Sequence, residues 1–352
     1  MEYSIYQQNQ WVQHIRMRPG MYIGSVRKEG LTELLERLFE ELLRYATADP
    51  VFDLGFYPDK RIVLEVENIR ASALGSYLSS LDTGFDISQL GTRCVISLSE
   101  KIRITAGSLQ LTAIEGRYET TAVGAASEDR ARFDFTLDHS IFKELRISYD
   151  ELIPFLQQFA YLNPSLKLIV ADYGEDGLQR NLFHYPRGIF EQLESGMRSD
   201  YYHAGLLRLE IEAQAGAYHY QIGIFNNYWL DGGLTKTFAG NMELYYGGSL
   251  EKGVYSGISA ATKRLAKKKN ITVSMVRKTM EKHFTFLAVI KGEGFSFEGC
   301  TRRKLGMPQV QSDVRDLVCE HLLVFYEREP DKAEQVLTQF TVYDDDGIPT
   351  VL

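Results

Sequence analysis

The sequence predicts a mixed α/β protein made of two domains, and three observations carry that expectation. The chain has 352 residues, enough to bury two separate cores. Residues 30–46, GLTELLERLFEELLRYA, place Leu31, Leu34, Leu35, Leu38, Leu42 and Leu43 on one face at helical spacing. Alternating runs such as KIRITAGSLQLTAIEGRYETT, residues 101–121, have the two-residue period of sheet strands.

Composition narrows the class. With 24% charged and 44% hydrophobic residues, the chain has the balance of a soluble globular protein rather than a disordered one. Nowhere does an apolar run reach spanning length, and the start MEYSIYQQNQ lacks the basic region and apolar core of a secretory signal. Cys94, Cys300 and Cys319 are odd in number and widely spaced, without metal-ligand spacing, so reduced thiols in a cytoplasm are expected. A net charge of −8 gives no general drive toward nucleic acid, so any such contact needs a local basic patch.

The elements follow in order. Residues 18–25, RPGMYIGS, combine a φ-fixing Pro19 and the permissive Gly20 and Gly24 with the apolar Met21, Tyr22 and Ile23. That pattern reads as a tight buried turn ahead of the leucine-striped helix, whose charged residues read as solvated. Runs 51–56 and 61–66 form a hairpin about Pro58-Asp59, and 206–212 with 218–225 form another. Residues 286–290 read as a buried strand, and 310–329 as a long helix that ends before Pro330.

Several of these stretches resemble the B subunits of DNA gyrase and topoisomerase IV. RPGMYIGS is similar to that family's VRKRPGMYIGS, and FEGCTRRKLG, residues 297–306, to its FEGQTKTKLG. FDFTLDHSIF, LQQFAYLNPSLKL and FHYPRGIFEQLE also resemble family segments. The resemblance implies an α+β two-layer sandwich of the GHKL or Bergerat type, then a ribosomal-protein-S5-like transducer domain with a left-handed crossover. The boundaries expected are 1–195 for the ATPase-like domain with its N-terminal arm, 196–340 for the transducer, and 341–352 for an acidic tail, flexible or docking. No metal-binding TOPRIM segment follows, which the resemblance reads as a stand-alone form.

Family chemistry maps poorly onto these residues. The water-activating glutamate falls on Arg37, which stays protonated and cannot act as a general base, and the magnesium-holding asparagine falls on Glu41. The adenine-reading aspartate falls on Val66, and the first glycine after it on Asn68. The threonine that supports the aspartate falls on Ala131. Of the phosphate-loop glycines, Gly91 remains while Gln89 fills the preceding place, so most of the lid reads as deleted. Arg302 stands where the family inserts a lysine toward ATP. It is expected to hold a phosphate or carboxylate, or to reach Glu41. Consecutive Asp344, Asp345 and Asp346 read as solvated rather than as a magnesium site.

The altered pocket points to a catalytically inactive pseudo-ATPase, a dimeric scaffold or regulator of a type II topoisomerase or another DNA-associated complex. No cofactor is expected, because ATP and magnesium are what the resemblance implies and the pocket residues have lost. Two other readings stand beside this one. One is a divergent but active ATP-dependent subunit. The other is a DNA-binding module using Lys263, Arg264, Lys267, Lys268 and Lys269, although in so acidic a chain a solvated helix face is the preferred reading of that cluster. The expected partners are a second copy, a topoisomerase subunit or another protein, with DNA contact open and no membrane. Tyr3 and Tyr6 are candidate anchors of a dimer-swapping arm.

Overall fold

In the first half of the chain, alternation of apolar and polar residues produces a sheet with one dry face. The computed structural model describes residues 10–81, 89–124, 127–174, 178–196, 207–226, 235–299 and 303–351. Strands β1 (Ala46–Tyr57), β2 (Arg61–Ile69), β3 (Ser99–Ala106), β4 (Leu109–Ile114), β5 (Arg117–Ala122), β6 (Arg130–Leu137), β7 (Lys167–Asp172) and β8 (Gln179–Phe183) lie in the order β5-β4-β3-β6-β2-β1-β7-β8. Phe52, Leu54, Ile62, Leu64, Phe133, Phe135, Ile102 and Ile104 are buried on the inner face. The alternate positions carry ion pairs such as Arg61–Asp134, Arg130–Glu67 and Arg132–Glu65. One packed face and one charged face make the two-layer sandwich.

Helices α1 (Gln10–Met17), α2 (Pro19–Ile23), α3 (Lys28–Leu43), α4 (Ala71–Ser79), α5 (Leu90–Leu98) and α6 (Tyr149–Leu162) belong to the same unit. Leu31, Leu34, Leu35, Leu38 and Leu42 of α3 are buried, as its stripe requires. Ser25 leads into that helix, its Oγ accepting from the Gly30 amide at 3.1 Å. The RPGMYIGS stretch is a short helix rather than a buried turn. Ile23 is buried, whereas Met21 is 68% exposed, because one helical turn points its apolar residues in different directions.

The second unit holds strands β9 (Leu207–Ala215), β10 (Tyr218–Asn226), β11 (Lys236–Ala239), β12 (Met242–Glu243) and β13 (Phe284–Lys291), in the order β12-β11-β13-β10-β9. Helices α7 (Ile189–Gly196), α8 (Ser249–Lys268), α9 (Arg277–His283), α10 (Pro308–Arg328) and α11 (Pro330–Thr338) accompany them. β11 and β13 run parallel, joined through α8 as in a βαβ crossover. The chain divides at Pro186/Arg187 rather than after residue 195, since Phe190 and Leu193 of α7 press on Gly223 of β10. Residues 341–350 fold back, with the Thr272 amide donating to Thr350 O at 2.7 Å and the Val342 amide to Thr272 O at 3.0 Å. The last residues described are therefore docked against the segment after α8.

Helices α8 and α10 approach closely because α8 carries glycine where they cross. A Cβ at Gly253 would lie 2.7 Å from Val314 Cβ, and one at Gly257 would lie 2.6 Å from Val318 Cβ. Gly257→Val is expected to destabilise by about 1–3 kcal/mol through overpacking. Gly20→Ala meets nothing within 4 Å and should change stability by no more than about 0.5 kcal/mol. Urea denaturation of both variants checks the contrast.

Candidate functional site

The residues expected to form a nucleotide pocket fall into two groups, an apolar strand pair and a helix end. Val66 on β2 and Ala131 on β6 are direct cross-strand partners, and both are buried. The two positions that would hold an aspartate and its supporting threonine thus sit side by side as an apolar pair. Nothing in that pair accepts a hydrogen bond from an exocyclic amine or supports a carboxylate. Asn68 keeps a φ of 61°, the left-handed conformation that suits glycine or asparagine. Its Nδ2 donates to Asp49 O at 2.8 Å, bracing the irregular start of β1.

The second group is at the N-terminus of α5. Gln89 is its N-cap residue without a side-chain cap, and its carbonyl accepts from the Tyr77 hydroxyl at 3.1 Å. Gly91 survives for packing. A Cβ there would lie 2.5 Å from Arg37 O and 2.7 Å from Leu38 Cα, so only glycine lets α5 seat against α3.

Glu41 is the centre of the site, and here the expectation of solvated charges on α3 is corrected. Its side chain is 1% exposed. The Thr92 amide donates to Glu41 Oε2 at 2.9 Å, and the Thr92 hydroxyl donates to Oε1 at 2.6 Å. A helix N-terminus presents unsatisfied N–H groups and a partial positive charge, which together favour an anion. In this protein a carboxylate of the chain itself fills that position. Burial pushes the Glu41 carboxyl up to about 7, against the Thr92 hydrogen bonds and the nearby Arg44 and Arg93, which favour its charged form.

Thr92, Arg93, Tyr77 and Trp11 complete the network, and none of them stood out as a site residue beforehand. Arg93 is buried, with its guanidinium 4.8 Å from the centroid of the Trp11 ring and in hydrogen-bonding contact with Tyr77. Burial and the Glu41 charge both push the Tyr77 hydroxyl up. Burial likewise raises the Cys94 thiol to about 12, leaving it unreactive at neutral pH. A charged residue inside the apolar run LGTRCVISL was the available signal for Arg93. Arg37 is half-buried and pairs with Glu33 one turn away at 2.6 Å.

Other expected positions separate into distinct groups. Tyr3, Tyr6, Cys300 and Arg302 lie outside the described residues. The base of the residue 297–306 loop is fixed, with Lys304 paired to Glu298 at 2.5 Å and the Ser249 amide donating to Leu305 O at 2.8 Å. In the basic cluster, Lys268 pairs with Glu327 and Lys269 with Glu334, and Arg264 lies near Asp316. Lys263 and Lys267 are exposed. Asp344 spends its carboxylate on its own turn, accepting from the Asp346 and Ile348 amides. Among the described residues no group of His, Cys, Asp and Glu is placed to hold a metal ion, and no helix is long and apolar enough to cross a membrane.

The described residues do not fit ATP and magnesium by the route the resemblance implies. The base-reading pair is apolar, and the helix end that would meet phosphate already holds a carboxylate.

The fold is similar to that of solved gyrase B structures. It matches a B-subunit structure of DNA gyrase from Myxococcus xanthus with a TM-score of 0.75 at 21% identity, covering 93% of this chain and 99% of that one. The 43K ATPase domain of Thermus thermophilus gyrase B, solved with an aminocoumarin, matches with a TM-score of 0.73 at 18% identity, covering 95% and 94%. In sequence the chain is similar to DNA gyrase B subunits. The DNA gyrase B family model matches residues 224–345. The gyrase B subunit of Halalkalibacterium halodurans is 23% identical over 92% of this chain, and that of Archaeoglobus fulgidus 25% identical over 93%. In both cases the chain spans 56% of the relative's length.

Glu41 has a definite signature in stability. Its carboxyl is raised from 4.5 to about 7 on folding, so between those values the folded state keeps a proton that the unfolded state releases. Stability attributable to Glu41 therefore falls as pH rises through that window, by about 3 kcal/mol in all, and stays lost above it. Glu41→Gln, which keeps an acceptor for the Thr92 amide, should flatten this fall. Denaturant titrations of both proteins at pH 5 and pH 8 check it.

Proposed function

We propose that this chain is a non-hydrolysing module with a gyrase-B-type frame. It acts as a dimeric scaffold or regulator for a type II topoisomerase or another DNA-associated complex. The observation that carries this reading is the Glu41 carboxyl at the N-terminus of α5, which takes the Thr92 amide and hydroxyl that a bound phosphate there would need. Val66 and Ala131 support it from the base side, and Arg37 from the chemical side. Losing a positioned general base alone removes about 10²–10⁴-fold in rate.

What remains is a frame and its surfaces. The relatives carry the name of a subunit, and one structural neighbour is the ATP-binding domain of topoisomerase IV from Francisella tularensis, with a TM-score of 0.72. A topoisomerase subunit or a second copy of this chain is therefore the partner class we favour, with a cytoplasmic setting. DNA ranks below protein, because glutamates already pair two lysines of the basic cluster in an acidic chain.

Isothermal titration of ATP with magnesium is expected to give no binding below millimolar concentration, alongside no hydrolysis above background. Micromolar binding would overturn the proposal. Sedimentation velocity should show a dimer whose population does not respond to a non-hydrolysable ATP analogue. A monomer at tens of micromolar would remove self-association from it.

A further inference from the structure

On the charged face of the first sheet, matched ion pairs occupy the β8-to-β6 side and stop at β3. Arg180–Asp53, Arg130–Glu67, Arg132–Glu65 and Arg61–Asp134 neutralise one another there. Beyond them the register sets Lys101 opposite Ile114, and Ile114 opposite Arg117, while Arg103 faces Thr112. Ile102, Ile104, Leu111 and Ala113 are buried, so the alternation turns Lys101, Arg103, Thr112 and Ile114 to the outside. Lys101, Arg103 and Arg117 have no ion-pair partner among the described residues. Ile114 is 69% exposed among them. A groove of about 430 Å³ runs here, lined by Arg61, Lys101, Arg103, Thr112, Ile114 and Asp134, the last opposite Arg103 across β3 and β6.

We infer that this groove docks an extended acidic peptide segment carrying an aliphatic side chain. Charge complementarity selects the acidic partner: on a chain of net charge −8, Lys101, Arg103 and Arg117 lie together without an ion-pair partner among the described residues, and Asp134 beside them is already held by Arg61. The carboxylates beside them are engaged, Asp134 by Arg61 in a two-point contact and Glu119 by the Thr112 hydroxyl. Lys101 and Arg103 project from alternate positions of one strand, about 7 Å apart, which is also the spacing of same-side residues in an extended peptide. Ile114 supplies an apolar contact for a branched side chain between the charges. The groove lining contains no aromatic ring on which a nucleic-acid base would stack, so a peptide fits it better than a single strand does.

Fluorescence anisotropy with a labelled peptide of alternating aspartate and leucine tests the inference on the full chain. Binding should weaken at least tenfold in the Lys101→Glu, Arg103→Glu double variant and several-fold in Ile114→Ser. It should hold in Lys263→Glu, Lys267→Glu, which alters the basic cluster of the second unit. Circular dichroism confirms that these surface variants fold. Three outcomes would overturn the inference: no binding by the unaltered protein, equal binding by the double variant, or tighter binding of a single-stranded oligonucleotide of equal charge.

Discussion

The hydrogen bonds between Glu41 and Thr92 are the contact on which the rest of the site depends. The first turn of a helix leaves N–H groups without partners, and an anion placed there is stabilised by both hydrogen bonding and the helix dipole. Whichever anion occupies the place decides what the pocket does. Here it comes from α3 of the same chain and is held by close packing, with Gly91 pressed against the Arg37 carbonyl. A carboxylate fixed in position faces none of the association cost that a free ligand meets. It occupies the Thr92 amide and hydroxyl and fastens α3 to α5.

Val66 and Ala131 face each other across β2 and β6, and their apolar contact continues the core without interruption. A polar aspartate there needs partners once buried, and alanine supplies none. Asn68 holds a left-handed φ, and its side chain braces the strand pairing through Asp49. In the second unit Leu305 is buried, and its backbone bonds to Gly247 and Ser249 hold the loop base.

Legibility in the sequence divided along physical lines. The leucine stripe of α3 and the alternation of β3 and β4 were readable because burial imposes a period. Glu41 was misread as solvated: it borders the stripe, and the partner that justifies its burial, Thr92, lies 51 positions away. Helix α4, ASALGSYLS, went unrecognised because its small residues give only a faint pattern. Met21 was expected inside with Ile23, yet a single helical turn separates their directions. The fold-back of residues 341–350 depends on pairing with Thr272, a long-range contact that no local signal announces.

The central claim is that an internal carboxylate has replaced phosphate at the N-terminus of α5. The most direct measurement follows the backbone amide signals of Gly91, Thr92 and Arg93 by NMR during titration with inorganic pyrophosphate and with ATP. If Glu41 holds the position, these amides do not shift in the unaltered protein up to millimolar anion. A saturable shift of the Thr92 amide at micromolar pyrophosphate or ATP would show the site open to phosphate and contradict the account.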